Sequence, residues 1–194
     1  MKFSNKSILH NFILNTDTYK SSMFAMYPDN MEYMSAYLEA RGGDFTVSMF
    51  FGLQAFIKDY LLEPITASDV ENAKEIYQQL GARFNYDGWM GIVNEHNGYL
   101  PIEIEAIEEG TILPLSNVML QVINTDPKYS WLTSFIETAL IRAIWYPTTV
   151  ATVSWISKQI IKDSLEKTSD SPELLRLYLE DFGCRGVSSL ESAA

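Results

Sequence analysis

The residues best suited to chemistry lie near the end of the chain, in the stretch Asp181–Ser189. Phe182 and Arg185 place an aromatic ring close to a guanidinium group, and two glycines in the stretch let the backbone turn or approach a ligand closely. We predict a strand around Phe182, a glycine turn, and a helix from Leu190 that is capped by one of the two preceding serines. This arrangement suits a flat ring beside a phosphate, although a core phenylalanine and a solvated arginine would give the same pattern.

Two other segments carry polar and aromatic groups at the predicted ends of elements. In Thr16-Asp17-Thr18-Tyr19-Lys20, Thr16 or Asp17 is placed to cap a helix that runs to about Met26, with Tyr19 as a partly buried ring. Arg41 closes a predicted strand beside two glycines, where it is either an edge charge or a ligand contact. The residue types alone do not decide between a structural role and a ligand contact for either segment.

Metal and thiol chemistry have little support in the sequence. Cys184 is the one cysteine, so no intrachain disulfide can form, and we expect a reducing, cytoplasmic environment. His10 and His96 are isolated from each other, and we find no second histidine, cysteine or carboxylate at metal-ligand spacing. We therefore predict no metal site built from protein ligands, and we expect His96 to be a surface residue in a polar turn.

The composition limits the kinds of molecule that the chain can bind. The chain has 194 residues, of which 47% are hydrophobic, so it can form a substantial core. Its formal net charge of −11 argues against nucleic-acid and anionic-membrane binding, but a few local cations can still hold a small anionic ligand. The most apolar region is interrupted by Glu137, Arg142 and Pro147, which favours buried helices over a membrane span.

The first half of the chain predicts helices interrupted by two strands. Apolar residues at helical spacing predict a short N-terminal helix that contains Ile8, Leu9, Phe12 and Ile13. Strands are predicted within Met31–Arg41 and over Phe45–Phe51. Three helices follow, one over Gly52–Leu62, one opened by the capping box Ser68-x-x-Glu71 and one capped by Asp87.

The second half begins with a change to a period of two. Apolar residues alternate with acidic ones from Ile102 to Ala106, and further strands are predicted over Thr111–Leu113 and Val118–Ile123. Together they predict a small antiparallel sheet with one solvated acidic face, which contains Glu103, Glu105, Glu108 and Glu109. This alternation explains the carboxylates without a catalytic pair.

Two helices are predicted on either side of Pro147. The first runs from about Tyr129 to Trp145 and the second from about Thr148 to Lys167. The second helix is predicted to bury the stripe Val150, Val153, Ile156, Ile160 and Ile161.

Several short motifs, in order along essentially the whole chain, resemble the N-terminal part of the nicotinamide phosphoribosyltransferase family. They include Thr16-Asp17-x-Tyr19-Lys20, Tyr37-x-Glu39-x-Arg41, Leu100-Pro101-Ile102-Glu103-Ile104, Ile136-Glu137-Thr138, Trp145-Tyr146-Pro147 and Asp181-Phe182-Gly183-x-Arg185-Gly186-Val187-Ser188-Ser189. The nicotinate-using relatives are the nearest alternative, and Lys20 and Gly186 favour the nicotinamide branch.

The resemblance implies transfer of a phosphoribosyl group from phosphoribosyl pyrophosphate to nicotinamide, giving nicotinamide mononucleotide and pyrophosphate for NAD salvage. It implies that Phe182 and Tyr19 form the two walls of a slot for the pyridine ring, with Tyr19 supplied by the neighbouring subunit of a homodimer. Arg185 would hold pyrophosphate or phosphate, Arg41 would contact phosphate across the dimer interface, and Asp17 would position its loop or contact the ligand. Mg²⁺ accompanies phosphoribosyl pyrophosphate, and ATP is a possible further cofactor, as in the family.

The resemblance also implies an α+β fold: an N-terminal domain of a type II phosphoribosyltransferase over residues 1–179, with small antiparallel sheets and helices. Residues 180–194 would be the first strand-helix unit of an incomplete α/β barrel. Family members are more than twice as long, so we expect the catalytic residues beyond residue 194 and an inactive chain in the absence of its C-terminal half. The alternatives are a nicotinate phosphoribosyltransferase fragment and a non-catalytic dimerisation or partner-binding remnant.

Overall fold

The computed structural model describes residues 10–193 of the chain. The strands are β1 (Ser35–Glu39), β2 (Val47–Met49), β3 (Ile102–Ala106), β4 (Ile112–Pro114) and β5 (Val118–Asn124). The α-helices are α1 (Leu53–Phe56), α2 (Ala67–Gln79), α3 (Tyr86–Glu95), α4 (Leu132–Phe135), α5 (Glu137–Thr168), α6 (Leu175–Tyr178) and α7 (Leu190–Ala193). Short 3₁₀ segments lie at Phe12–Leu14, Thr18–Met26, Pro127–Tyr129, Pro172–Leu174 and Gly183–Gly186, and α1 continues as a π-helix over Ile57–Leu61. The predicted α+β class is therefore confirmed.

The strands form two small antiparallel sheets. The three-stranded sheet has the order β1-β5-β3, with Tyr37 opposite Gln121 and Gln121 opposite Glu105. The two-stranded sheet pairs β2 with β4. The strands predicted in the first half are present but shorter, and those of the second half lie within one residue of their predicted bounds. The sheet predicted from the second half is divided, because β4 pairs with a strand from the first half of the chain.

One of the predicted solvated carboxylates has a structural role instead. Glu103 and Glu105 are exposed on β3, as the alternation predicts. The Oε1 atom of Glu109, however, accepts hydrogen bonds from the backbone N–H groups of Gly52 and Gln54, each at 2.9 Å. These are unpaired donors at the start of α1, so Glu109 caps that helix from a distant loop.

Two helix starts differ from the prediction. A capping box does open α2, but it consists of Thr66 and Asp69, so Ser68 and Glu71 already lie inside the helix. Helix α3 is capped by Asn85, whose Oδ1 accepts from the Gly88 N–H at 3.1 Å, and not by Asp87. In both cases the capping residue, whose backbone is not helical, lies two residues earlier than predicted.

Near the N-terminus, the predicted amphipathic helix is represented by the 3₁₀ segment at Phe12–Leu14. Ile8 and Leu9 lie outside the described residues. Ile13 is fully buried, and its carbonyl accepts a hydrogen bond from the Tyr77 hydroxyl at 3.1 Å. This segment is thereby attached to α2.

Helix α5 runs without a break through Pro147, so the predicted boundary there is wrong, while the start of the first predicted helix forms the separate helix α4. The proline cannot donate a helical hydrogen bond to the Ala143 carbonyl. Gly52, with φ +109°, packs its backbone against that carbonyl and against the proline ring. Any Cβ at Gly52 would overlap Ala143 O and lie 2.9 Å from Pro147 Cγ, so the close approach depends on glycine.

The predicted apolar stripe of the second half of α5 is not buried. Val150, Val153 and Ile160 are exposed, whereas Thr148 and Thr152 are buried. The two threonines face the domain because their hydroxyls accept from the N–H groups of Phe51, at 3.2 Å, and Met49, at 2.9 Å. Hydrogen bonding to the end of β2 therefore decides the rotation of the helix.

The main core lies between α2, α3, α4 and the three-stranded sheet. Trp89 is 1% exposed, and its ring lies 5.0 Å from those of both Trp131 and Phe135 in edge-to-face geometry. Among residues 10–193, none of the helices combines the length and the hydropathy that crossing a bilayer requires.

Candidate functional site

The stretch around Phe182 is a turn and not the predicted strand. The Oδ1 atom of Asp181 accepts the Gly183 N–H at 2.6 Å, and the 3₁₀ segment Gly183–Gly186 follows directly. This side-chain bond to the backbone offers the chain an alternative to a sheet ladder. The predicted helix is present as α7, and the predicted serine cap is confirmed, because the Ser192 N–H donates to Ser189 Oγ at 3.2 Å.

The turn brings the predicted aromatic ring and guanidinium group together. The Cζ atom of Arg185 lies 5.6 Å from the centroid of the Phe182 ring, within the range of a cation–π contact. Phe182 is 66% exposed, so much of its ring surface is open to a flat ligand. Cys184, between the two, is exposed.

The Asp17–Lys20 segment is attached to the start of α5. Asp17 precedes the 3₁₀ segment Thr18–Met26 but makes no side-chain cap; its Oδ2 instead accepts from the Thr138 hydroxyl at 2.8 Å. Lys20 is 5% exposed and forms an ion pair with Glu137. These contacts leave Tyr19 projecting outward, with 60% of its surface exposed. Tyr19 is therefore a more exposed ring than its sequence context predicts.

The electrostatics of Lys20 reflect two opposing effects. Burial alone lowers the pKa of its ammonium group, but the hydrogen bond and the charge of Glu137 outweigh burial and raise the pKa above its ordinary value. The ammonium also lies 5.4 Å from the centroid of the Tyr19 ring. Lys20 is thus charged at neutral pH and fixes the backbone next to Tyr19.

The remaining predicted site residue, Arg41, is exposed just beyond the end of β1. Within residues 10–193 its side chain makes no ion pair or hydrogen bond. In the same part of the chain, no hydrogen bond, ion pair or ring contact joins Phe182 and Arg185 to Tyr19 or Asp17. The structure therefore contains two local groups and a separate arginine, and not one assembled pocket.

An open cleft of about 440 Å³ lies beside Asp17. Its lining includes Thr138 and Arg142 of α5 and excludes Tyr19, Arg41 and Phe182. Of the predicted site residues, Asp17 therefore lines this cleft, and the candidate aromatic rings do not.

A second polar cluster was missed by the sequence analysis, which predicted His96 to be an isolated surface residue. The His96 Nε2 atom lies 3.0 Å from Asp126 Oδ2, and both side chains are partly buried. Glu95 Oε2 accepts from Lys128 Nζ at 2.9 Å and from the Tyr129 hydroxyl at 3.1 Å. Because Asp126 is 30 residues from His96 in sequence, spacing gives no indication of the contact.

The sequence of this chain is similar to those of known phosphoribosyltransferases. Residues 11–104 match the family model described as nicotinamide phosphoribosyltransferase, N-terminal domain. A nicotinamide phosphoribosyltransferase of Xanthomonas campestris is 47% identical over 187 residues, which cover 96% of this chain and 40% of that relative. This chain is homologous to the N-terminal portion of nicotinamide phosphoribosyltransferases. A relative of the same description from Acinetobacter baylyi is 32% identical, over 92% of this chain and 38% of its own length.

The structural comparison supports the same fold. The crystal structure of human nicotinic acid phosphoribosyltransferase superposes with a TM-score of 0.57 at 19% identity, covering 76% of this chain and 28% of that one. The chain spans about two fifths of the length of the two bacterial relatives described above. The small antiparallel sheets and helices correspond to the N-terminal domain of the family, as predicted.

Proposed function

We propose that this chain acts as the N-terminal portion of a nicotinamide phosphoribosyltransferase. In this function, nicotinamide attacks phosphoribosyl pyrophosphate, and the products are nicotinamide mononucleotide and pyrophosphate. The observation that carries the proposal is the homology over 96% of the chain to a relative of that description. The two exposed rings and the exposed guanidinium groups of Arg41 and Arg185 are consistent with it.

The proposed substrate slot has Phe182 on one wall and Tyr19 on the other. A pyridine ring needs flat apolar surfaces that exclude water and hold the ring nitrogen in line with the ribose carbon. Phe182 and Tyr19 are 66% and 60% exposed, so both rings are available for stacking. Since no contact joins them within residues 10–193, we propose that Tyr19 serves the slot of a second subunit in a homodimer.

The proposed role of Arg185 is to stabilise negative charge on the departing pyrophosphate. Bond cleavage gives the ribose carbon oxocarbenium character and leaves charge on the phosphate oxygens. A guanidinium group can donate two parallel hydrogen bonds to such oxygens. Arg41, exposed and without an ionic partner among residues 10–193, is proposed to bind phosphate across the subunit interface. Asp17, bonded to Thr138, is proposed to position the Tyr19 segment.

Phosphoribosyl pyrophosphate is proposed to bind as its Mg²⁺ complex, in which the ion neutralises part of the pyrophosphate charge. The proposal includes ATP as a further cofactor, which the family resemblance implies. The negative charge of the chain and its single cysteine, Cys184, fit a cytoplasmic enzyme without a nucleic-acid partner. The catalytic acid-base groups are proposed to come from the C-terminal half, as is the rest of a barrel that begins at residue 180.

A second candidate function is a non-catalytic dimerisation or partner-binding module. The observation that favours it is the exposed apolar face of α5, where Trp145, Val153 and Ile160 are 55%, 45% and 64% exposed. Surfaces of this kind mark protein interfaces. The nicotinate-specific alternative differs from the main proposal only in the substrate.

The deciding experiment combines this chain with the C-terminal three fifths of the Xanthomonas relative and Mg²⁺-phosphoribosyl pyrophosphate. We expect nicotinamide mononucleotide, detected by chromatography, only when both polypeptides are present, and slower turnover with nicotinate. Tyr19→Ala and Arg185→Gln should each lower the rate at least tenfold. Tyr33→Ala, at an exposed tyrosine outside the proposed site, is the matched control.

Two results would contradict the enzymatic proposal. One is the absence of nicotinamide mononucleotide although the two polypeptides form a complex, which would favour the binding module. The other is equal activity of the Tyr19→Ala and Tyr33→Ala variants, which would remove Tyr19 from the slot. Faster turnover of nicotinate would instead assign the chain to the nicotinate-using branch.

A further inference from the structure

Three side chains with metal-binding atoms meet where α3 ends. Glu95 is the last residue of that helix, His96 is its C-cap, and Asp126 follows β5. One ligand atom of each residue lies within 4.8 Å of the others, and His96 Nε2 is 3.0 Å from Asp126 Oδ2. The cluster brings together an imidazole and two carboxylates from different elements, and it is separate from the proposed phosphoribosyl site.

Outer contacts hold these three side chains in place. Asp126 Oδ1 accepts the Lys128 N–H at 3.0 Å, which leaves Oδ2 directed at His96. The Tyr129 hydroxyl donates to Glu95 at 3.1 Å, and the Tyr129 and His96 rings meet edge to face with their centroids 5.2 Å apart. Such outer partners orient ligands in known metal sites.

Tyr129 is itself fixed by the fold. It is 3% exposed, and Gly91 on α3 provides the space for its hydroxyl, because a Cβ at that position would lie 2.6 Å from the oxygen. The glycine is one helical turn before Glu95, so the same helix supplies the ligand and the space for its orienting partner. The cluster therefore stands on buried, rigid elements and not on a free loop.

A cation already occupies the cluster. The Lys128 ammonium lies 2.9 Å from Glu95 Oε2, and the lysine side chain is 67% exposed. A flexible, solvated side chain can leave at little cost. The end of α3 also contributes the negative end of a helix dipole, which favours positive charge.

We propose that Glu95, His96 and Asp126 bind one divalent transition-metal ion, with Zn²⁺ as the best fit, in place of the Lys128 ammonium. Imidazole and carboxylate ligands suit Zn²⁺, Co²⁺ and Ni²⁺, whereas Mg²⁺ prefers oxygen ligands alone. Tetrahedral ligands at about 2.05 Å from zinc are about 3.3 Å apart. The His96–Asp126 pair is already near that separation, and the exposed Glu95 carboxylate, within 4.8 Å of the other ligand atoms, needs to shift by at most about 1.5 Å to complete the set.

The bound ion would connect the end of α3 to the segment after β5. Three protein ligands leave one tetrahedral position for water. The proposal does not depend on phosphoribosyl transfer, so its test needs neither nicotinamide nor a second polypeptide.

The experiment titrates the untagged 194-residue chain with Co²⁺, followed by visible absorption, and then displaces Co²⁺ with Zn²⁺. We expect one site per chain, a tetrahedral Co²⁺ spectrum, and an increase in Tm of roughly 5–10 °C when Zn²⁺ exceeds its Kd about 100-fold. His96→Gln should weaken binding more than tenfold. His10→Gln removes the other histidine and is the matched control, with no expected change.

Lys128→Gln provides a test in the opposite direction. Removal of the competing ammonium should tighten Zn²⁺ binding several-fold, because Glu95 then has no cation to release. The proposal is overturned if Co²⁺ gives only an octahedral spectrum, if His10→Gln and His96→Gln weaken binding equally, or if Mg²⁺ competes at equal concentration. The far-UV circular dichroism and the metal-free Tm of each variant establish that the chain is folded. If His96→Gln does not fold, Glu95→Gln serves as the second ligand variant.

Discussion

The ion pair between Lys20 and Glu137 should respond very differently to loss of its two partners. The Lys20 side chain is 4% exposed, whereas the Glu137 side chain is 50% exposed. Removing the carboxylate leaves an ammonium group buried without its counter-charge. Removing the ammonium leaves a carboxylate that water can solvate. We therefore predict that Glu137→Gln is much more destabilising than Lys20→Met.

The magnitude follows from the cost of a stranded charge. Breaking a buried ion pair by removing one partner typically costs about 3–5 kcal/mol. An upper limit comes from the alternative of neutralising the lysine at pH 7, starting from an ordinary pKa of 10.5, which costs about 5 kcal/mol. Lys20→Met removes the buried charge and keeps the packing volume, so we expect a change within about 1 kcal/mol.

Urea denaturation at pH 7 and pH 9.5 provides the assay. In Glu137→Gln the folded-state pKa of Lys20 falls below its unfolded value, so the variant should gain stability as pH rises toward 10.5. In the native pair the folded-state pKa is raised, so its contribution is complete below the unfolded pKa and is lost as pH rises through the folded pKa. Equal losses for the two variants at pH 7, or a Glu137→Gln deficit that grows with pH, would refute this reasoning.

Two further predictions concern the fold around the site. Gly52→Ala should lower the free energy of unfolding, measured by urea denaturation, by about 3–5 kcal/mol, because it adds left-handed strain and overlap with the Ala143 carbonyl. Gly110→Ala, where φ is +88° and the surrounding space is open, should cost only about 1–2 kcal/mol of strain. Similar losses for the two variants would exclude the close approach as the cause. Burial raises the pKa of Tyr77 to about 12, so its stabilising effect is complete below pH 10 and is lost between pH 10 and 12, by at most about 2.7 kcal/mol. Tyr77→Phe should be less stable at pH 8 by about 1 kcal/mol, since it loses the hydrogen bond to the Ile13 carbonyl. Between pH 10 and 12 the free energy of unfolding of this variant should change less with pH than that of the unmodified chain. Parallel pH curves for the two proteins would contradict the raised pKa of Tyr77.

Elements with strong local patterns were predictable from the sequence. The period of two from Ile102 to Ala106 identifies β3, and the helical spacing of Trp89 and Ile92 identifies the buried face of α3. Local rules were less reliable for helix starts, because Thr66 and Ser68 each precede an acidic residue by three positions. Only the backbone conformation, extended at Thr66, decides between the two.

The failures share one physical origin, which is a contact between residues distant in sequence. Pro147 predicts a helix break, but Gly52 packs against the turn that the proline leaves open. The apolar stripe of α5 predicts burial, but Thr148 and Thr152 take the inward face because β2 offers them backbone donors. Hydrogen bonds of this kind outweigh the pattern, since a buried donor without a partner costs more than an exposed valine.

The parts of the candidate site also differ in whether they depend on neighbouring residues or on residues distant in sequence. Phe182 and Arg185 are three positions apart, so a single turn is enough to place the guanidinium group over the ring, and residue types alone indicated the pair. Tyr19 is different, because its exposure depends on Lys20 and Glu137, which are 117 residues apart. The segment that carries Tyr19 is fixed by the Lys20–Glu137 ion pair, and no ring contact joins Tyr19 to Phe182 among residues 10–193. The proposed slot, with Phe182 and Tyr19 as its walls, brings together two surfaces that are not in contact within residues 10–193, and for this reason the proposal includes a second subunit.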